Sequence, residues 1–244
     1  MKKYKQKQLV LCILDGLGVG KPTETNAVFR ARTPSLDKLI AEYPTCRLEA
    51  SGPSVGLPTN QAGNSEVGHL TIGSGRVIEQ DLPRINHALK NDFLCESSEI
   101  SNFINSLKKT GGAAHILGLI SDGGVHSHLN HIASLTKYLV QKKVPVYIHI
   151  TTDGRDTAPD SSGDYISILK KKCPNNVVFA TVIGRYFSMD RDLRWERIQI
   201  AYELIKYGKA NHYTNTPEEA IKDAYARGET DEFITSTSIS NYSG

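Results

Sequence analysis

The chain has 244 residues, enough for one large domain or two small ones. It is 39% hydrophobic and 23% charged with a net charge of +3, an ordinary globular composition whose mild charge gives no argument for nucleic acid. No stretch approaches a membrane span, and Cys12, Cys46, Cys95 and Cys173 stand far apart without a C-x-x-C pair, which points to reduced cytosolic thiols rather than a disulfide frame or a zinc site.

In chain order, lysines at 2, 3, 5 and 7 precede the apolar run 9–14. Six apolar residues closed by Asp15 are too short for a secretory core, so the lysines read as a solvated tail and the run as a buried strand. The turn Asp15-Gly16-Leu17-Gly18 follows. Its likeness to a dinucleotide loop is weak, because the third glycine of that fingerprint would fall on Lys21 and an aspartate before the loop repels a pyrophosphate. Gly20-Lys21-Pro22 excludes a P-loop, which needs Ser or Thr after the lysine. Thr33-Pro34 starts a helix, and 45–50 is a weak alternating strand.

Gly63-Asn64-Ser65-Glu66-Val67-Gly68-His69 places a serine between small neighbours where a helix can begin. Free N–H groups at a helix start favour an anion, so Ser65 is a candidate to attack phosphorus and hold phosphate. It does not fit the G-x-S-x-G elbow, because the second glycine comes one residue late, and His69 is too close in sequence to be presumed a triad base. Activation by metal is the better candidate, with Asp15 as an oxygen ligand. Gly73-Ser74-Gly75-Arg76 reads as a hinge.

Further on, three more apolar runs, 116–120, 146–151 and 177–183, read as parallel strands covered on both faces. Helical stripes lie between and after them, at Ile100, Phe103, Ile104 and Leu107, at Leu129, Ile132 and Leu139, and at Trp195, Ile198, Tyr202 and Ile205. Thr216-Pro217-Glu218-Glu219 is a capping box. The polar end from Ser236 to Gly244 offers no closing element. Alternating strands and helices imply an α/β fold with a parallel sheet.

Ligands bind outside the carboxyl ends of such strands, and these strands lead into polar loops. Residues 121–128 include Asp122 and His126, residues 153–156 are Asp-Gly-Arg-Asp, and Gly184-Arg185-Tyr186 precedes Asp190-Arg191-Asp192. His126, Arg155, Asp156, Arg185 and Arg191 suit a small polyanion carrying phosphate or carboxylate. Glycines between Asp122 and His126 argue against a helix presenting both to a metal, so His126 is favoured as a phosphate contact. His131 and His149 read as structural or surface residues. The arginines from 185 to 197 with Tyr186, Phe187 and Trp195 could suggest RNA, but Trp195 lies on an apolar stripe and Arg197 reads as solvated.

These motifs, in order and together with Gly75-Arg76-Val77-Ile78 and Arg194-Trp195-Glu196-Arg197, resemble the cofactor-independent (2,3-bisphosphoglycerate-independent) phosphoglycerate mutases. The resemblance implies that residues 1–76 are the first part of an alkaline-phosphatase-like metal domain. It implies that 77–244 are most of an inserted α/β domain holding phosphoglycerate. Ser65 would take the phosphoryl group and contact a metal that Asp15 also binds. His126, Arg155, Asp156, Arg185 and Arg191 would hold the substrate. Two metals, commonly Mn²⁺, serve a complete enzyme, which is cytoplasmic and usually monomeric. Family members are about twice this length, and the remaining metal ligands, two further substrate arginines and the sheet partners of 9–14 are expected in the later half. An inactive fragment, a phosphoglycerate-binding remnant and a related metal-dependent phosphatase or phosphopentomutase are the alternatives this leaves.

Overall fold

The computed structural model describes residues 8–90 and 97–244. The lysines at 2, 3, 5 and 7 and Cys95 lie outside the described residues. Two compact units divide between Pro83 and Arg84. The expected boundary after residue 76 lies earlier, and the expected hinge is the end of a helix with Gly75 as its left-handed cap.

The first unit consists of short helices and loops: α1 (Ala27–Arg30), α2 (Pro34–Glu42), a 3-10 turn at Gly52–Val55 and α3 (Ser65–Ser74). The next helix, α4 (Asp81–Lys90), contains the division between the units. Residues 9–14 and 45–50 do not form strands here. Leu9 is 92% exposed and Leu48 85%. A strand is held by hydrogen bonds to neighbouring strands, and the described part of this unit offers none. Among its described residues the buried apolar cluster is Val55, Leu57 and Val67. Thr33 does not cap α2 as expected; its hydroxyl turns to Asp37 Oδ1 at 3.1 Å, and Pro34 alone marks the start.

The second unit runs through α5 (Ser98–Thr110), β1 (Ala114–Leu119), α6 (Leu129–Gln141), β2 (Val146–Thr152), α7 (Ser162–Lys172), β3 (Val178–Gly184) and the short α8 (Arg185–Ser188). It continues with α9 (Trp195–Tyr207), β4 (His212–Thr214), α10 (Pro217–Ala226), a 3-10 turn at Asp231–Phe233 and β5 (Thr237–Ile239). The sheet order is β1-β2-β3-β5-β4. The first three strands are parallel, β5 runs antiparallel to β3, and β4 is parallel to β5. The main core sets Ile116, Ile148, Ile150 and Val182 of the strands against Ile132, Ile166, Leu169, Ile221 and Ala224 of α6, α7 and α10. The capping box at Thr216 forms as the sequence predicts.

Three expectations change here. The segment after Ser236 does close the unit, because Thr237, Ser238 and Ile239 are buried between β3 and β4. The hydroxyls there find partners, as Ser238 Oγ does in donating to the Tyr242 carbonyl at 2.9 Å. The stripe Trp195, Ile198, Tyr202 and Ile205 is not the seated face of α9. Ala201 and Leu204 pack on Ile183 of β3, while Trp195 is 69% exposed. Finally, β1 is covered on one face only: His115 and Leu117 are exposed while Ala114 and Ile116 are buried.

Candidate active site

In the first unit, Asn64 caps α3 by accepting from the Val67 amide at 3.1 Å, which makes Ser65 the first helical residue. Gly63 is needed because a Cβ there would lie 1.7 Å from the Ala50 carbonyl oxygen. The Ser65 hydroxyl is exposed and donates to Asp15 Oδ2 at 2.7 Å, fifty residues away in the chain. His69 Nδ1 lies 3.2 Å from Ser65 Oγ and 2.8 Å from the Ser65 carbonyl. A carbonyl only accepts, so that shorter bond requires the proton on Nδ1, which then cannot take the serine's proton. The Asp15 and Ser65 oxygens are hard donors spaced as two ligands of one divalent cation can be. Among the described residues no group of three or more His, Cys, Asp or Glu gathers as a complete metal site would.

In the second unit, the loops after β1, β2 and β3 meet around one cavity of about 490 Å³. Its lining includes all five substrate candidates, His126, Arg155, Asp156, Arg185 and Arg191. Parallel strands explain the convergence: their carboxyl ends lie on one edge, so three loops far apart in sequence share a rim.

The electrostatics are more balanced than the sequence suggests. Arg155, Arg185, Arg191 and Arg197 line the cavity together with Asp156, Asp190, Asp192 and Glu232. Arg155 faces Glu232 at 3.7 Å, and Arg197 pairs with Asp190 at 2.9 Å. Arg185 Nη1 donates to Asp153 Oδ1 at 2.7 Å and to Asp156 Oδ2 at 2.6 Å. Burial opposes the Arg185 charge, but the bonds to Asp156 and Asp153 outweigh it and raise the guanidinium pKa. His126 Nε2 stands 3.9 Å from Asp156 Oδ2. Arg191 is exposed and forms no ion pair among the described residues. The capacity to attract an anion therefore rests most on Arg191 and on the unused N–H groups of Arg155 and Arg185.

Arg197 is a correction. Rather than pointing to solvent, it lies 3.8 Å over the Tyr186 ring with its charge on Asp190, and it lines the cavity. A sequence could have hinted at this only through the recurrence of arginine two turns after Asp190. Sequence reasoning also missed the buried Asp153 and Ser121 beneath the cavity. His131 bonds Asn86 at 2.7 Å, and the buried His149 bonds His115 and Thr181, each at 2.9 Å.

The family described as BPG-independent PGAM N-terminus matches residues 85–244. The chain is 46% identical over 238 residues to the 2,3-bisphosphoglycerate-independent phosphoglycerate mutase of Ruegeria sp. (strain TM1040), covering 98% of this chain and 47% of that protein. It is 45% identical over 240 residues to the protein of the same name from Roseobacter denitrificans (strain ATCC 33942 / OCh 114), again covering 98% and 47%. A crystal structure of Leishmania mexicana phosphoglycerate mutase, determined at low cobalt concentration, superposes with a TM-score of 0.74 at 30% identity, covering 93% of this chain and 44% of that one. The chain thus spans about half the length of the curated relatives it matches.

Proposed function

The chain belongs to the BPG-independent phosphoglycerate mutase N-terminus family, and from that membership we propose that it carries the phosphate-accepting serine and most phosphoglycerate contacts of such a mutase. In this reading the first unit is the opening part of an alkaline-phosphatase-like metal domain and the second is the greater part of the substrate domain. The observation that carries the proposal is the cavity, because five residues chosen for anion chemistry line it from three separate loops.

The chemistry follows from the side chains. Ser65 Oγ attacks phosphorus as the bond from phosphorus to one glycerate oxygen breaks, the serine proton ending on that oxygen; the phosphoryl group later passes from Ser65 to the other hydroxyl, whose proton ends on Ser65. The Asp15 bond directs the hydroxyl proton away from the attacking lone pairs. Asp15 and Ser65 would together hold one Mn²⁺ of a pair, and such ions when bound neutralise phosphate charge and lower the serine's pKa. Arg155, Arg185 and Arg191 neutralise the phosphate and carboxylate of the substrate, His126 donates a hydrogen bond to it, and Asp156 accepts from its hydroxyl groups. The protein is read as cytoplasmic, in a family whose members are usually monomeric. No helix among the described residues is long and apolar enough to cross a membrane.

Two oxygen donors do not satisfy a two-metal site, so the purified chain should bind phosphoglycerate without interconverting its isomers. Calorimetric titration with 3-phosphoglycerate should show millimolar or tighter binding, weakened roughly tenfold by Arg191→Ala through loss of a charge-assisted bond. No binding at millimolar ligand would sink the substrate assignment, and mutase turnover by chain 1–244 would overturn its inactivity. In a complete enzyme carrying this sequence, Ser65→Ala should abolish transfer.

A further inference from the structure

Ser121, Asp153 and Arg185 follow the ends of β1, β2 and β3, and they form one hydrogen-bonded line across those three neighbouring strands. Ser121 Oγ donates to Asp153 Oδ2 at 2.6 Å. Asp153 Oδ1 accepts from the Arg155 amide at 3.2 Å, the Asp156 amide at 2.9 Å and Arg185 Nη1 at 2.7 Å. Ser121 and Asp153 are both fully buried. Neither lines the cavity, whereas Arg155, Asp156 and Arg185 do. A carboxylate so buried survives as an anion only because its oxygens are fully used. Burial opposes the charge, but the bonds from Ser121, the two amides and Arg185 keep the Asp153 carboxyl below its ordinary range.

All the hydrogen bonds Arg185 makes among the described residues leave from Nη1, so Nε and Nη2 remain for a ligand. An arginine carries substantial rotamer freedom, and losing it only on binding weakens binding. We propose that Asp153, anchored by Ser121, is a positioning residue. It locks Arg185 Nη1 and the 153–156 turn in advance, so that the free edge of the guanidinium meets the anion already oriented. This rests on the phosphoglycerate reading of the cavity, but the locking itself does not.

Asp153→Asn separates positioning from charge. The asparagine can still accept from both amides and can bond Ser121 through its own amide, so the turn retains its connections, but of the two charge-assisted bonds to Arg185 Nη1 only that of Asp156 remains. If Asp153 were merely a nearby negative charge, its removal would tighten anion binding. Positioning requires the opposite: 3-phosphoglycerate should bind roughly three- to tenfold more weakly to Asp153→Asn. It should also bind more weakly to Ser121→Ala, which changes no charge. In an Arg185→Lys background, Asp153→Asn should add nothing. A ligand-free measurement keeps this separate from the functional reading. NMR of the Arg185 guanidinium should show hindered, protected Nη1 hydrogens in the wild-type chain and measurably less protected ones in Asp153→Asn, where Asp156 alone still holds them by a charge-assisted bond. If Asp153→Asn fails to fold, Ser121→Ala carries both measurements. Loss of Nη1 protection with no phosphoglycerate binding by any form would retain the positioning role and reject the substrate. Equal or tighter binding by the variants, or unchanged Nη1 protection, would overturn it.

Discussion

His149 occupies the middle of the sheet with both ring nitrogens engaged, one by His115 and the other by Thr181. Burial, with the nearby His115 adding to it, lowers its pKa from 6.5 to about 4. The rings of Tyr147 and Tyr242 close the same cluster. The folded state therefore binds fewer protons than the unfolded state between the two pKa values. Stability present above pH 6.5 should be lost as pH falls through this window toward 4, on the order of 3 kcal/mol if His149 acts alone. Thermal melts across that range should show the decline, and His149→Gln should flatten it. An equally steep decline in the variant would assign the effect elsewhere. The sequence left His149 as structural or surface; burial makes it structural, and its protonation could not be read from the sequence because it depends on partners 34 and 32 residues away.

Among the elements, β5 is the most informative. It is three residues long and polar in two of them, yet it lies between β3 and β4 with Ile239 99% buried. Ile239→Ala should cost about 2–5 kcal/mol, measured by urea unfolding, because the cavity it leaves is enclosed by the main core. A cost below about 1 kcal/mol would mean β5 is frayed in solution. Thr216→Ala, which removes the capping box of α10, should cost about 0.5–2 kcal/mol. The strands β1, β2 and β3 were legible because continuous burial demands continuous apolar residues. β4 and β5 were not, because three residues are too few to show a period, and their pairing with each other and with β3 exists only once the fold brings the strands together. The opposite error at 9–14 has the same origin: apolar residues permit a strand, but partner strands make one.

At the scale of the whole chain, the two units differ in kind. The second has a contiguous core of strand and helix residues, whereas the first has three buried apolar residues in its cluster. Residues 84–244 alone should therefore melt cooperatively and, on the proposed function, bind 3-phosphoglycerate with the same affinity as the full chain, since every lining residue of the cavity lies in that unit. A non-cooperative melt of that fragment would show that its stability depends on the preceding residues.

The sequence alone determined the family, the parallel strands and which residues share the rim of one cavity, because motif order and apolar runs are local records of chemistry and burial. Tertiary structure decided how much charge those residues leave for a ligand. Three of the four cavity arginines face carboxylates, and Asp153, which holds one of them, is hidden below the cavity. Pairing and burial are relations between distant residues, so they exist only once the loops after β1, β2 and β3 have been brought to one edge of the sheet.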